Sequence, residues 1–355
     1  MNKNKVLNAV RTTYHIFTRP IFAIHATRLV RERTYFDEKK RKGGVTRLLE
    51  NCKWAFKYNE LNEFYNLYGF DTYAVDQTIY SDYATFYYTR NAANHLGSAS
   101  SQIGILRDKY LFYLFMSRLN LPVPDVFGVI LHGKLFDKHL NPMNSTFFRN
   151  KKDYFIKALD GECASFVRHI HDFNSFTQLL ESGILNKDRF ILQDRVIQAN
   201  DMSIINPKAV NTYRIVTVNK SDGNPYYFSG VLRVGTKATG NVDNWAAGGL
   251  SIGINRETGY LKKYGFFKPT YGTKTDVHPD TGIRFSEFKA PMLEESIKIA
   301  LEAHRHLFGI HSIGWDIAVT PEGPVFIEGN DNWEISLMQA CNGGLKKEWE
   351  DALSR

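Results

Sequence analysis

The stretch that most restricts what this chain can fold into is Ile313-Gly-Trp-Asp-Ile-Ala-Val-Thr-Pro-Glu-Gly-Pro-Val-Phe-Ile-Glu-Gly-Asn330. Thr320 to Pro324 carries turn chemistry, so the segments on either side pair as an antiparallel hairpin. A turn centred on Glu322 places Asp316 opposite Glu328 and Gly314 opposite Asn330. Strand side chains alternate, so Asp316, Glu328 and Asn330 share one face. Trp315, Ile317, Val319, Val325 and Ile327 form the other, core-facing side. Carboxylates directly opposite each other repel, at a cost on the order of 0.2–1 kcal/mol. A hard cation reverses that sign. Three oxygen donors without His or Cys suit Mg²⁺, which keeps waters and takes its other ligands from phosphates. The competing reading is a solvated face of ordinary acids. Gly314 and Ala318, which leave room above the carboxylates, and Phe326 beside them argue against it.

Around the hairpin the pattern is mixed. Residues 45–70 have irregular helical spacing, and 71–100 are aromatic and polar without a readable period. Ile105 to Leu119 reads as one amphipathic helix ended by Leu121-Pro-Val-Pro124. Tyr154–Ala158, Phe190–Ile197, Thr212–Val218 and Tyr226–Val234 read as strands, and Asp172–Glu181 as a helix. Gly248-Gly249 opens a strand to Ile254, and Asn255 to Gly259 is a hairpin turn. Ser286–Phe308 reads as a long helix with Pro291 in its first turn, and a helix surrounds Ile335–Ala340. The fold class is therefore α+β, mainly antiparallel, preceded by a helical region.

Composition excludes several function classes. With 43% hydrophobic and 23% charged residues the chain is not globally disordered. No apolar run approaches the roughly 18 residues of a membrane span. Cys52, Cys163 and Cys341 are too few and too scattered for a disulfide framework, which points to a reducing, cytoplasmic setting. The net charge of +8 is not spread over the chain: residues 1–60 hold 14 Lys/Arg against 5 Asp/Glu, and the rest is close to neutral. No nucleic-acid-binding motif accompanies this charge, and no apolar core of a secretory signal forms. Residues 1–42 read either as a basic helix on an anionic membrane surface or protein partner, or as a helix packed on the body with a solvated basic face.

The hairpin, with Ser336-Leu-Met-Gln-Ala beyond it, resembles the ATP-grasp superfamily, and most closely its sugar-transfer associated branch. The resemblance covers about residues 100–345. It implies an ATP-grasp fold over 101–355, with a small subdomain near 125–195, a large one near 196–345, and a basic helical region over 1–100. It implies Asp316, Glu328 and Asn330 as magnesium ligands. Arg107-Asp-Lys109 and Tyr154-Phe-Ile-Lys157 resemble the two nucleotide-binding lysine motifs, and Ile191-Leu-Gln193-Asp194 resembles the hinge strand that meets adenine and ribose. Arg214 and Arg233 would stabilise transferred phosphoryl or acyl phosphate; paired surface salt bridges are the alternative. Asp243-Asn244-Trp-Ala-Ala-Gly248-Gly249 resembles a loop that lets substrate approach backbone closely, and His278 lines a substrate pocket or is structural. Two departures stand out. Gly314 occupies a position where many such ligases carry Arg, and the flap after Lys157 holds a single glycine, Gly161.

What the resemblance implies is an ATP- and Mg²⁺-dependent carboxylate–amine ligase working through an acyl phosphate. Its branch suggests a substrate of surface polysaccharide biosynthesis, such as an amino acid joined to a carboxyl-bearing sugar. Direct phosphoryl transfer to a sugar and a non-catalytic nucleotide-binding scaffold are the rivals. His169 and His171, and His304 and His306, lack a suitable third ligand in the sequence and read as ordinary, partly exposed histidines.

Overall fold

The structure, a computed structural model, describes residues 20–22, 24–25, 27–29, 31–95, 99–160, 166–220, 222–240 and 243–354. Five strands, β1 (Val126–Leu131), β2 (Lys134–Asp137), β3 (Tyr154–Ala158), β4 (Val167–Ile170) and β5 (Arg189–Asp194), form one sheet in the order β2-β1-β5-β3-β4. Seven more form a second: β6 (Thr212–Asn219), β7 (Pro225–Val234), β8 (Leu250–Ile254), β9 (Leu261–Phe267), β10 (Lys274–Thr275), β11 (Ser312–Thr320) and β12 (Gly323–Asn330). Their order is β10-β9-β8-β7-β6-β11-β12. Every pairing in both sheets is antiparallel. The α+β architecture with antiparallel sheets is the one the sequence pattern implied.

Helices α1 (Gly44–Tyr58), α2 (Tyr83–Asn94), α3 (Ala99–Arg107), α4 (Lys109–Arg118), α5 (Phe173–Glu181), α6 (Asn200–Ser203), α7 (Leu293–His306), α8 (Ile335–Asn342) and α9 (Lys346–Leu353) surround the sheets. The single helix expected over Ile105–Leu119 is two helices. Asp108 breaks it: its backbone is extended and its carboxylate accepts from the Tyr110 and Leu111 amides at 2.9 and 3.0 Å. Such a cap satisfies amides that a new helix start leaves unpaired. The amide of Lys109 meanwhile donates to the Leu159 carbonyl at 3.1 Å, tying α4 to the end of β3. The long helix expected from Ser286 begins only at Leu293, so Pro291 precedes it rather than lying in its first turn.

Alternation along the large sheet sorts its two faces. Ile215, Leu232, Ile252, Trp315 and Ile317 pack against α3, α4 and α7. Val216, Val218, Val231 and Phe266 point the other way, and there residues 35–86 and the C-terminal helices cover them with Trp54, Tyr68, Phe70, Phe86, Trp333 and Trp349. The segment over 71–100 that has no readable period thus contributes Tyr80 and Phe86 to an aromatic layer built mostly from residues 35–70 and the C-terminal helices. The layer is stitched in by buried polar groups. Asn94 donates to the Ser312 and Asp331 carbonyls at 3.0 and 2.9 Å and accepts from the Ser312 amide at 2.9 Å. Arg90, 1% exposed, donates to the Trp333 carbonyl and to Asn332.

The hairpin keeps the expected pairing where it matters and departs from it lower down. Asp316 faces Glu328 and Gly314 faces Asn330, but a bulge shifts the register so that Ile317 faces Phe326. Ile327 is the extra residue. Phe326 therefore sits on the core face, fully buried 5.2 Å from the Trp315 ring, instead of beside the carboxylates. A bulge bends its strand and re-aims a side chain, and here it brings a large ring into the core.

Candidate active site

The site grows from three adjacent strands. Arg214 on β6 lies directly opposite Asp316 on β11, and Arg233 on β7 lies opposite Thr212, one pleat along. All three side chains fall on the face covered by the aromatic layer. Arg214 grips Asp316 through Nε and through Nη2 at 2.9 Å. Arg233 donates from Nη1 to the same carboxylate at 2.8 Å and from Nη2 to Asp243 at 2.9 Å. Thr212 donates its hydroxyl to the other oxygen of Asp243. Burial alone would raise the Asp316 carboxyl, but the Arg214 and Arg233 guanidiniums hold it down at about 2. Arg233 Nε is buried without a partner among the described residues. A donor in that state has capacity for a further acceptor.

Glu328 shows the opposite behaviour. Burial, and then Asp316 directly opposite, push its carboxyl above the usual range, against the pull of Arg214 and Arg233. Asn330 donates from Nδ2 to Glu328 and to the Gly314 carbonyl, both at 3.3 Å, which leaves its Oδ1 out of these contacts. Two carboxylates and an amide oxygen on one strand pair fit a hard cation with oxygen preference. Gly314 does not leave the expected free space. A Cβ there would lie 2.7 Å from the Trp333 Cβ and 3.5 Å from Arg214 Cδ. The position has no room for an arginine, and Arg214 reaches Asp316 from the neighbouring strand instead.

The small sheet and α4 contribute the cations. Lys157, near the end of β3, donates to Gln193 Oε1 at 2.8 Å, and Gln193 donates to the Pro124 carbonyl at 3.3 Å. Burial pushes the Lys157 ammonium down to about 8; Glu328 partly offsets this, and Lys109 adds to it. Lys109 is lowered by burial too, against Glu328, Asp108 and Asp160. A lysine from the small sheet and one from α4, which packs between the two sheets, therefore lie within electrostatic reach of an acid on the large sheet. Lys109 is also the first residue of α4, whose leading amides are taken up by Asp108 and the Leu159 carbonyl, so its contribution to an anion is the side chain. Asp194, half exposed at the end of β5, pairs with Lys151 at 3.3 Å.

A family model for sugar-transfer associated ATP-grasp proteins matches residues 95–351. The chain belongs to this ATP-grasp family. The chemistry expected of such a fold, binding of ATP, agrees with the converging lysines and arginines. Among solved structures the chain is similar to D-alanine–D-alanine ligase from Bacillus anthracis, at 13% identity and TM-score 0.39, over 70% of this chain and 63% of that one. It is similar to L-amino acid ligase from Bacillus licheniformis, at 12% identity and TM-score 0.38, over 69% and 45% of the two chains. It is also similar to biotin carboxylase from Campylobacter jejuni, at 10% identity and TM-score 0.42, over 72% and 47%. The chain spans less than two thirds of the length of each. No curated protein matches it.

In this ATP-grasp protein the remaining candidates are placed as follows. Asn244 caps a short turn by accepting from the Ala246 amide at 2.9 Å. Gly248 has φ +105°, and a Cβ on Gly249 would lie 2.9 Å from the Asp243 carbonyl oxygen. The loop's own closure explains both glycines. His278 is fully buried; its Nε2 meets the Gly235 carbonyl at 2.9 Å, and its Nδ1 accepts from the Asp280 and Thr281 amides. It fastens a loop and has no ring nitrogen left for substrate. His304 is fully buried rather than partly exposed, between the Thr217 hydroxyl and the Ile310 carbonyl, and burial pushes it down to about 4. His169 and His171 do have a third group nearby: ligating atoms of both and of Asp153 lie within 4.8 Å of one another. Asp153 immediately precedes β3, whose pairing with β4 brings it to the histidines. The single-glycine flap falls on residues 161–165, outside the described ones.

Sequence reasoning missed Asp243 as the partner of Arg233. It also missed Arg107, which grips Asp331 through Nε and Nη2 at 3.0 and 2.7 Å and so anchors α3 to the end of the hairpin. The Arg107-Asp-Lys109 triplet was the available signal. Its arginine and lysine serve opposite sides of the same helix break.

Proposed function

We propose that the protein is an ATP- and Mg²⁺-dependent carboxylate–amine ligase. The observation that carries the reading is the convergence of Lys157 from the small sheet and Lys109 from the start of α4 on Glu328, beside an Asp316 gripped by Arg214 and Arg233. Lys109 and Lys157 would hold the phosphates of ATP, with Gln193 and Asp194 placed for the nucleoside. An oxygen of the substrate carboxylate attacks the γ-phosphorus, and the bond to the β-phosphate oxygen breaks to release ADP. The amine nitrogen then attacks the carbonyl carbon of the acyl phosphate and loses a proton as inorganic phosphate departs. Arg214 and Arg233 would stabilise charge on the transferred group in both steps. Asp316, Glu328 and Asn330 would hold Mg²⁺, which supplies a Lewis acid for the phosphate oxygens. The family's association with sugar transfer supports a carboxyl-bearing sugar of surface polysaccharide biosynthesis as the acid.

The test is ADP release by the full chain with ATP, Mg²⁺ and panels of acids and amines. Release that needs both an acid and an amine, with an amide product by mass spectrometry, is the expected result. Unchanged release in Asp316→Ala and Glu328→Ala would overturn it. A phosphorylated sugar as product would favour phosphoryl transfer. One observation favours a non-catalytic scaffold: Asp316 is already compensated by two guanidiniums. ATP binding by calorimetry with no turnover over the panels would support that reading.

Residues 1–42 are proposed as the contact to an anionic membrane surface or protein, in a cytoplasmic protein that does not bind nucleic acid. Residues 1–19 lie outside the described ones. Within the described basic run, Arg41 pairs with Asp71 and Lys42 with Glu50, both at 2.9 Å, so Lys39 and Lys40 are what the run offers outward. No helix among the described residues is long and apolar enough to cross a membrane.

A further inference from the structure

Between the aromatic layer and the start of α8 lies a cavity of about 400 Å³. Most of its walls come from two stretches far apart in sequence, residues 54–83 and 334–336, with Phe22 and Lys268 completing them. Both lead to the site. Glu334 follows Asn330 by four residues, and Trp333 between them packs over Gly314. On the other side Phe64 stacks on Trp245, with centroids 6.3 Å apart and planes at 18°. Trp245 belongs to the loop whose Asp243 holds Arg233.

The lining is chemically specific. Trp54, Tyr68 and Tyr83 present aromatic surface beside the carboxylates of Glu60 and Glu334, a combination that favours an organic cation. Asn62, another wall residue, is 5% exposed, and its Nδ2 is buried with no partner among the described residues. An amide donor in that state calls for an acceptor oxygen. Lys268 is the one cation among the described wall residues and suits a carboxylate. Burial pushes Glu60 up to about 7 even though it accepts from the Trp54 indole and the Tyr83 and Ala84 amides. An ammonium group beside it would offset that burial.

We propose that this cavity is the acceptor site and that it takes a free amino acid, its ammonium toward Glu60 and Glu334 and its carboxylate toward Asn62 and Lys268. The proposal rests on the ligase reading and names the amine of that reaction. It also gives the N-terminal region a role, since residues 54–83 supply one whole wall.

The test uses the full chain and a panel of the common amino acids. Binding is followed without ATP by tryptophan fluorescence, to which Trp54 contributes, and turnover by ADP release. Asn62→Ala and the more exposed Tyr83→Ala should each weaken amino-acid binding by tenfold or more and raise the amino-acid KM to match. The KM for ATP and the thermal midpoint should stay within error in Tyr83→Ala, which guards against a fold defect in Asn62→Ala. Amino-acid-dependent ADP release with a KM untouched by both variants would overturn the proposal and leave the ligase reading standing. Amino-acid binding that both variants weaken, without ADP release for any acid, would uphold the cavity assignment and reject the ligase. Absence of amino-acid binding and of any amino-acid dependence of turnover would reject the cavity assignment.

Discussion

The two halves that meet at the site hold their charges in opposite ways. On the large sheet Asp316 is enclosed by Arg214 and Arg233, and Arg233 by Asp243, so each charge has a partner within 2.9 Å. On the small sheet Lys157 is buried with, among the described residues, a neutral amide as its hydrogen-bond acceptor, and its proton is loosely held. One half is a closed network. The other is built around a cation that, among the described residues, Glu328 compensates only in part. The difference shows where a polyanion stabilises the protein, and where it must compete with contacts already made.

The sharpest way to break this contrast lies within the hairpin. Asp316→Ala should cost about 3–5 kcal/mol in urea unfolding, because it breaks a buried ion pair, leaving Arg214 without its carboxylate and Arg233 with Asp243 alone. Glu328→Ala, one strand away, should change stability by no more than about 1 kcal/mol, since it removes a buried acid that Asp316 already repels. Both should lose ADP release by two orders of magnitude or more. Equal stability costs would show that the arginines do not distinguish the two acids.

Lys157→Met tests the other half. ATP affinity should fall about 10- to 100-fold, the size of a lost charge-assisted hydrogen bond of about 1.5–3 kcal/mol. The unfolded lysine keeps its proton up to its ordinary value of 10.5, and the folded one sheds it above about 8. Between those limits the unfolded chain binds more protons, so this group makes stability rise with pH. Bound phosphate should reverse the shift, and ATP binding at pH 9 should take up close to one proton. Calorimetry in buffers of differing ionisation enthalpy reads it. No uptake would place Lys157 away from the phosphates.

Gly314→Ala is a smaller perturbation. A methyl group pressed against Trp333 should cost about 1–3 kcal/mol, measurable as a lower thermal midpoint. The smallest effect belongs to the surface. Lys39→Ala with Lys40→Ala should shift stability by less than about 0.5 kcal/mol while weakening sedimentation with anionic vesicles. Unchanged sedimentation would remove those lysines from the contact.

The legible parts of the molecule were those fixed by short-range rules. Turn chemistry at Thr320–Pro324 was enough to identify the hairpin, but the turn pairs Thr320 with Gly323, and it is the bulge at Ile327 that brings Glu328 opposite Asp316. The bulge at Ile327 was not legible, since its cause is the room beside Trp315 that Phe326 fills. Nor was the ion pair of Arg214 with Asp316, which joins strands about a hundred residues apart. His304 was misread by being grouped with His306, which is exposed as expected, because a spacing of two turns a helix through about 200°. One ring is thereby buried and the other faces water. The aromatic stretch before residue 100 gave no period because most of it is turns and short helices whose order comes from the sheet they cover.

The stitching of α2 into the hairpin has a consequence for how this protein is divided and inherited. The family match starts at residue 95, one residue after Asn94, whose side chain bonds Ser312 and Asp331. A fragment cut at that boundary would leave the ring of Trp333 bare where Phe86 had covered it. The matched portion is therefore not a cassette that can be lifted out. Exchange of the preceding segment between relatives would be accepted only if the new segment brought its own plug for the groove over Trp333 and Trp349.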